Sequence, residues 1–327
     1  MKCIVTGAAG FIGSHLVDQL AEDGHEVYAI DNFSTGQKKN LNRSKNKIKI
    51  KNIDVTNLSK LKKLNFFKKV NWVFHLAGLA DIVPSINKPI DYFNNNVTGT
   101  LNVLEVSKNK NLKKFIYAAS ASCYGIPKQY PTSEKSKIDP KYPYALTKYL
   151  GEKLVMHWAN VYRMPNLSIR FFNVYGLRSR TTGAYGAMFG VFLSQMKNNY
   201  PLTIVGNGEQ TRDFINVSDV ITGLIKAAKG KQINKIYNLG SGVETSVNYI
   251  ANLISKKKIK ISSRPGEPLR SKADIKNFKK DFNWKPEISI NQGVKELLLN
   301  LQHWKDAPLW TKNKINKATK TWFKFLK

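Results

Sequence analysis

The stretch Lys2-Cys3-Ile4-Val5-Thr6-Gly7-Ala8-Ala9-Gly10-Phe11-Ile12-Gly13 decides the fold. Its apolar start predicts a short strand from Lys2 to Val5, its glycines a tight turn, and Leu16, Val17 and Leu20 an amphipathic helix beyond. In that order, strand, glycine turn and helix let the backbone approach a pyrophosphate, whose charge is favoured by the free N–H groups of the helix N-terminus. A second strand, Glu26 to Ile30, ends in Asp31, near the offset of about 20 residues expected of an acid that hydrogen-bonds an adenosine ribose. A carboxylate there repels a 2′-phosphate, so NAD is preferred over NADP.

Outward from this unit, strand-like runs recur at Ile48–Ile53 before Asp54, at Trp72–His75 before Leu76-Ala77-Gly78, and at Phe115–Ala119 before Ser120, with helical periodicity between them. The alternation predicts an α/β protein with a Rossmann-like, doubly wound parallel sheet and a smaller C-terminal substrate-binding lobe. Ligands of such sheets collect beyond the carboxyl ends of the strands, where Gly7–Gly13, Asp31, Asp54, Gly78 and Ser120 fall. The run Tyr142-Pro143-Tyr144-Ala145-Leu146-Thr147-Lys148 opens a helix, and i,i+4 spacing puts the Tyr144 phenol and the Lys148 ammonium on one face. A free tyrosine has a pKa of about 10, too high for a base at neutral pH; a nearby ammonium and a cationic nicotinamide favour the phenolate. Ser120, at a strand end, is suited to hydrogen-bond a substrate oxygen.

These residues resemble the extended short-chain dehydrogenase/reductase superfamily, in particular its NAD-dependent nucleotide-sugar epimerase branch. The resemblance runs through Thr6–Gly13, Asp31-Asn32-Phe33-Ser34-Thr35-Gly36, His75-Leu76-Ala77-Gly78, Asn95-Asn96-Val97, Ser120-Ala121-Ser122-Cys123-Tyr124-Gly125, Tyr144 with Lys148, and Arg170-Phe171-Phe172-Asn173-Val174-Tyr175-Gly176. It implies that Gly7, Gly10, Phe11, Ile12, Gly13, Asp31, Asn32, Ser34, Asp54, Val55, Leu76, Ala77, Gly78, Asn96, Tyr144 and Lys148 contact NAD. It also implies a mechanism in which Tyr144 takes the proton of a sugar 4-hydroxyl as hydride leaves C4, with Ser120 orienting the oxygen, Lys148 holding the nicotinamide ribose, and hydride returning to the other face of a 4-keto sugar. Dehydratases and decarboxylases of the superfamily carry a carboxylate beside the strand-end hydroxyl; here Ser120, Ala121 and Ser122 carry none, which points to 4-epimerisation. A dehydratase, decarboxylase or simple reductase remains the alternative.

For the substrate, the resemblance assigns Ser122 and Asn173 to the sugar site, Arg212 and Arg264 to the diphosphate, and Glu267 to the nucleotide ribose; a guanidinium fork suits phosphate. Ser271 stands where relatives acting on unmodified hexoses carry a tyrosine, leaving room for an N-acetyl group, so a UDP-N-acetylhexosamine or a uronic-acid relative joins UDP-hexose as a candidate. Ala80 replaces a lysine found in some of those enzymes.

The chain has 327 residues, 42% of them hydrophobic, which excludes disorder as a class. The expected domains are a NAD-binding part, 1–173 with 213–240 returning to it, and a substrate lobe, 174–212 with 241–327. Loop structure is expected at Arg178-Ser179-Arg180-Thr181-Thr182-Gly183, a helix at Phe189–Met196, and an apolar helical stripe of Ile315, Ala318, Trp322 and Phe325 in the tail. No apolar run spans a bilayer. Cys3 and Cys123 show neither disulfide-framework nor zinc-ligand spacing, so no metal and a reducing, cytoplasmic setting are expected, and the glycines and His15 interrupt the start before a signal peptide forms. The net charge of +31 invites a nucleic-acid reading, but the basic residues spread along the whole chain: seven fall in Lys38–Lys51, ten in Lys256–Lys280 and seven in Lys305–Lys327. The partner expected is a nucleotide sugar, with no nucleic acid and no membrane, and the resemblance implies a homodimer through helices near Asp91–Lys108 and Tyr144–Tyr162.

Overall fold

Short β-branched and aromatic runs alternate with helices in the front half, and the computed structural model, which describes residues 1–180 and 188–326, assembles them into one parallel sheet. The described strands are β1 (Lys2–Thr6), β2 (Glu26–Asp31), β3 (Ile48–Asn52), β4 (Trp72–His75), β5 (Lys114–Ser120), β6 (Asn166–Phe171), β7 (Asn173–Tyr175), β8 (Leu202–Val205), β9 (Thr211–Asn216), β10 (Lys235–Leu239), β11 (Glu244–Ser246) and β12 (Lys258–Ile261). Seven form the main sheet in the order β10-β6-β5-β4-β1-β2-β3, and every neighbouring pair is parallel. The order reverses between β1 and β4, which opens a crevice at their carboxyl ends. Smaller sheets, β11-β9-β7 and β12-β8, build the second lobe.

Both faces of the sheet are covered, which is why its central strands read as continuous apolar runs. On β1, Cys3 and Val5 join a cluster with Leu16, Leu20 and Leu224, while Ile4 joins Val73, Phe115 and Val155 on the opposite face. A third cluster, around Phe189, Phe192, Ile204, Ile250 and Trp304, is the core of the second lobe. β3 is an edge strand whose Lys49 and Lys51 face solvent, so part of the basic excess blunts an open sheet edge.

Two local readings change. Residues 273–284, assigned by sequence to the second lobe, pack into the first core: Phe278 and Phe282 of the helix Lys276–Phe282 meet the Tyr237 ring of β10 at 5.7 and 5.0 Å. The tail is not one stripe. It breaks at Thr319 between helices Lys312–Ala318 and Lys320–Phe325, so Ile315 and Trp322 are buried while Phe325 is 60% exposed. The expected helix is Met188–Lys197, and of the loop expected at 178–183, residues 181–183 lie outside the described residues. No described helix is long and apolar enough to cross a membrane.

A buried ion pair ties the sheet to its longest helix. Glu152, on the helix Pro143–Tyr162, accepts hydrogen bonds from Arg170 Nε (2.9 Å) and Nη2 (2.5 Å) and from the Ser168 hydroxyl (2.8 Å), both donors on β6. Arg170 Nη1 also donates to the Tyr124 hydroxyl (2.8 Å) and the Glu134 carbonyl (3.1 Å), and Tyr124 in turn donates to Asn238 of β10 (2.7 Å). Removing one partner of such a pair strands the other charge in a dry interior. Glu152→Ala is therefore expected to lose about 3–5 kcal/mol of unfolding free energy in urea titrations; a loss below about 1 kcal/mol would show the pair to be dispensable.

Candidate active site

Ser120 closes β5, and its Oγ accepts the Ser122 backbone N–H (3.2 Å) and the Ser122 hydroxyl (2.8 Å). Opposite it, Pro143 sits in the first turn of the helix that carries Tyr144 and Lys148 one turn apart, and Ala145, Gly151 and Val155 seat that helix on the sheet. A Cβ at Gly151 would lie 2.2 Å from the Tyr117 hydroxyl, so glycine is needed for Tyr117 to reach the Lys148 carbonyl (3.2 Å). The Tyr117 ring then lies 4.3 Å from the Lys148 ammonium. Tyr142 stacks parallel to Tyr144 at 6.3 Å, and Tyr92 meets it edge-on at 6.4 Å.

The electrostatics differ from the expectation that Lys148 depresses the Tyr144 phenol. Burial pushes the phenol up, and a hydrogen bond with Ser120 is what pulls it down. Burial also pulls Lys148 down to about 7, with the Glu152 charge, one helical turn on, opposing. Both groups sit on the same dry floor, which disfavours each charged form. His75, though part of a sequence motif, is a core residue: it is fully buried between the hydroxyls of Thr6 (2.7 Å) and Thr100 (3.0 Å), and burial drives it down to about 3, so it stays neutral.

The glycine turn forms one wall of a cleft of about 570 Å³. Gly7 adopts φ +68°, and a Cβ there would lie 2.7 Å from the Ala77 nitrogen; one on Gly13 would lie 2.1 Å from the Gly7 carbonyl oxygen. No side chain caps the helix Phe11–Glu22 and its first turn holds no acid, so its leading N–H groups remain available to an anion. Of the residues read for the cofactor, all but Asp54 and Asn96 line this cleft. Those two stand behind the wall. Asp54 accepts a hydrogen bond from the Asn32 amide (2.8 Å), and the buried Asn96 clamps Leu79 through its N–H (2.8 Å) and carbonyl (3.0 Å) while donating to Thr147 (3.0 Å). Asp31 already accepts the N–H groups of Ala9 (2.9 Å) and Phe33 (2.7 Å), which locks the β2 loop to the glycine turn.

A second cavity of about 410 Å³ continues from the first and shares Ser120, Tyr144, Asn173, Arg264, Glu267 and Trp322 with it; Ser122, Arg212 and Ser271 line only the second. Glu267 bridges the arginines, accepting from Arg264 Nη1 (3.0 Å) and Arg212 Nη2 (3.4 Å). Arg212 is further held by the carbonyls of Thr211 (2.9 Å) and Pro268 (2.8 Å). Its neighbour Asp213, unassigned from sequence, is a structural hub that accepts the N–H groups of Ser241, Gly242 and Ala273. Sequence reasoning also missed Asp81, Arg180 and Tyr142 at the cleft and placed Trp322 only in a tail stripe. Asp81 and Arg180 form an ion pair across the cleft, bringing together residues from the loops after β4 and β7. Asp81 was within reach as the third residue after Gly78; the wall position of Trp322 had no local signal.

Against this geometry, the family model described as the NAD dependent epimerase/dehydratase family matches residues 3–240. The chain belongs to that family. A putative UDP-glucose 4-epimerase of Methanocaldococcus jannaschii is 36% identical, over 90% of this chain and 96% of the relative. Among solved structures, the UDP-N-acetylglucosamine 4-epimerase of Methanobrevibacter ruminantium superposes with a TM-score of 0.85 at 32% identity, covering 91% of this chain and 98% of that one. The UDP-glucuronic acid 4-epimerase of Bacillus cereus, solved with UDP-glucuronic acid and NAD, gives a TM-score of 0.84 at 32% identity, covering 92% and 99%.

NAD is thus the cofactor, and the cleft fits it: the uncapped helix start suits a pyrophosphate, and Asp31 at the end of β2 suits a ribose diol. Lys148 offers a pH-dependent check. Because its folded pKa is depressed, the folded chain has released a proton that the unfolded chain keeps between about pH 7 and about pH 10.4, so this group makes stability rise with pH across that window. Cofactor-free Lys148→Met protein should melt several degrees above the parent at pH 6, with the gap narrowing toward pH 10; an equal gap at both pH values would contradict the buried ammonium.

Proposed function

We propose that this chain is a UDP-sugar 4-epimerase that inverts C4 through a 4-keto sugar. The observation that carries this reading is the state of the carboxylates. Among the described residues, the acids lining the cleft are Asp31, Asp81 and Glu267, and each is engaged: Asp31 by backbone N–H groups, Asp81 by Arg180, Glu267 by Arg212 and Arg264. Among the described residues no acid stands beside Ser120 to protonate a leaving hydroxyl, as elimination of water requires, whereas an epimerase needs only hydroxyl and base.

In this mechanism Tyr144 accepts the proton of the sugar 4-hydroxyl, and Ser120, held by Ser122, orients the 4-oxygen. Bound NAD supplies the hydride acceptor for C4 and the donor that returns hydride to the other face. Lys148 holds the nicotinamide ribose, and Tyr144 gives its proton back to the inverted oxygen. The Arg212 and Arg264 pair takes the diphosphate, for which two guanidinium groups are suited. Asn173 and Ser122 line the sugar end. Ser271, small and facing the second cavity, supports a sugar with an N-acetyl group or another enlarged substituent.

Purified protein given UDP-N-acetylglucosamine, UDP-glucuronic acid or UDP-glucose should interconvert the C4 epimers with no net absorbance change at 340 nm. It should act on UDP-N-acetylglucosamine at least as well as on UDP-glucose; a clear preference for UDP-glucose would sink the Ser271 argument. Tyr144→Phe should lower turnover by about 10²–10⁴-fold with bound NAD retained. A net 340 nm change with substrate would identify a reductase or dehydrogenase instead.

The helices Pro89–Phe93 and Pro143–Tyr162 leave Ile90, Phe93, Leu146, Val161 and Tyr162 exposed, Ile90 by 72%. We assign exposed apolar side chains of these two helices to a homodimer interface. Light scattering should give twice the 37.1 kDa of the chain, and a monomer at micromolar concentration would refute it.

A further inference from the structure

Arg264 sits on an irregular turn with Pro265, Gly266 and Glu267, outside any helix or strand. A long side chain on such a turn has many rotamers to lose when it grips a ligand. Glu267 on the same turn accepts from its Nη1 (3.0 Å), and a second support comes from the far end of the chain. Trp322, buried on the helix Lys320–Phe325, donates its indole N–H to the Pro265 carbonyl (2.7 Å) and presents its ring to the Arg264 guanidinium at 5.7 Å. The same ring lies 6.3 Å from Tyr142, which stacks on Tyr144. Trp322 lines both parts of the cleft, and its helix packs against the helix Ile82–Asn87, whose Ile82 and Val83 line the cleft from the other lobe. The tail therefore crosses from the arginine turn of the second lobe to the first lobe over the site, with Ile315 and Thr319 buried behind it.

We propose that Trp322 is a positioning residue for diphosphate recognition: a C-terminal strap holds its indole against Arg264 and Pro265, so the guanidinium is ordered before substrate arrives. The inference rests on the reading of the cleft as a UDP-sugar site. An ordered guanidinium binds more tightly than a mobile one because less freedom is lost on binding. Trp322 has no atom to give the reaction at C4, so its loss is felt in binding and leaves the chemical step intact.

The test is UDP binding to the NAD-loaded full-length protein by calorimetry, together with steady-state kinetics on whichever of the three UDP-sugars the parent converts. Losing a cation–π contact and a hydrogen bond corresponds to roughly tenfold or more in affinity. Trp322→Ala should weaken UDP by about that factor and raise KM similarly, with kcat within about twofold of the parent. Trp322→Phe, which keeps a ring face, should recover most of the loss, and Phe325→Ala, on the exposed side of the same helix, should match the parent. Combined with Arg264→Ala, Trp322→Ala should add nothing further, because one acts through the other. If Trp322→Ala fails to fold, Trp322→Leu, which keeps apolar volume without ring or N–H, carries the same expectations. Unchanged UDP affinity, a fall in kcat at constant KM, or additive losses in the double variant would overturn the proposal. A parent that binds no UDP would instead overturn the UDP-sugar reading itself.

Discussion

The site depends on one buried charge pair. Glu152 and Arg170 meet in the interior between the helix Pro143–Tyr162 and β6, and each has its remaining hydrogen-bonding capacity met by Ser168, Tyr124 and the Glu134 carbonyl. A pair like this contributes less to net stability than to uniqueness, because any other seating of the helix leaves a charge unpaired in a dry core. That seating aims Tyr144 and Lys148 at the strand end bearing Ser120, and through Tyr124 and Asn238 it reaches β10, the strand that returns from late in the sequence. Tyr144, Lys148 and Ser120 are thus held from behind by a network that meets the cleft only at Tyr124, which lines the second cavity.

The two ends of the cleft differ in electrostatic character. Its floor is dry enough to raise the Tyr144 phenol, against the Ser120 hydrogen bond, and to pull the Lys148 ammonium down to about 7. Its far end has the opposite character, with two guanidinium groups sharing the single carboxylate of Glu267. That end offers a net positive pair to an anion, while the floor around Tyr144 remains weakly solvated. The general excess of positive charge is a separate matter: much of it lies on exposed lysines, including those along the β3 edge.

Much of this was legible in the order of residues. The glycine turn, Asp31 and the strand-end positions follow from local rules, because a tight turn, a close backbone approach and a periodic apolar face each demand particular residue types at fixed spacing. Tyr144 and Lys148 share a helix face by i,i+4 geometry. Asp54 and Asn96 were harder: both lie near the cofactor wall, yet their side chains are spent on Asn32, Leu79 and Thr147, a choice made by neighbours distant in sequence. Residues 273–284 were read into the wrong neighbourhood for a similar reason, since Phe278 and Phe282 look like core anywhere and only the fold shows which core receives them.

By itself, then, the sequence determined the parallel α/β framework, the nucleotide turn and the Ser120, Tyr144 and Lys148 constellation, since all rest on local spacing and residue type. Only the tertiary structure decided how these are completed: that Glu267 bridges Arg212 with Arg264, that Asp81 meets Arg180, and that Trp322 crosses to the arginine turn. Those contacts join segments far apart in the chain. Their partners are chosen by packing and by the cost of leaving buried charges and N–H groups unpaired, which no local pattern records.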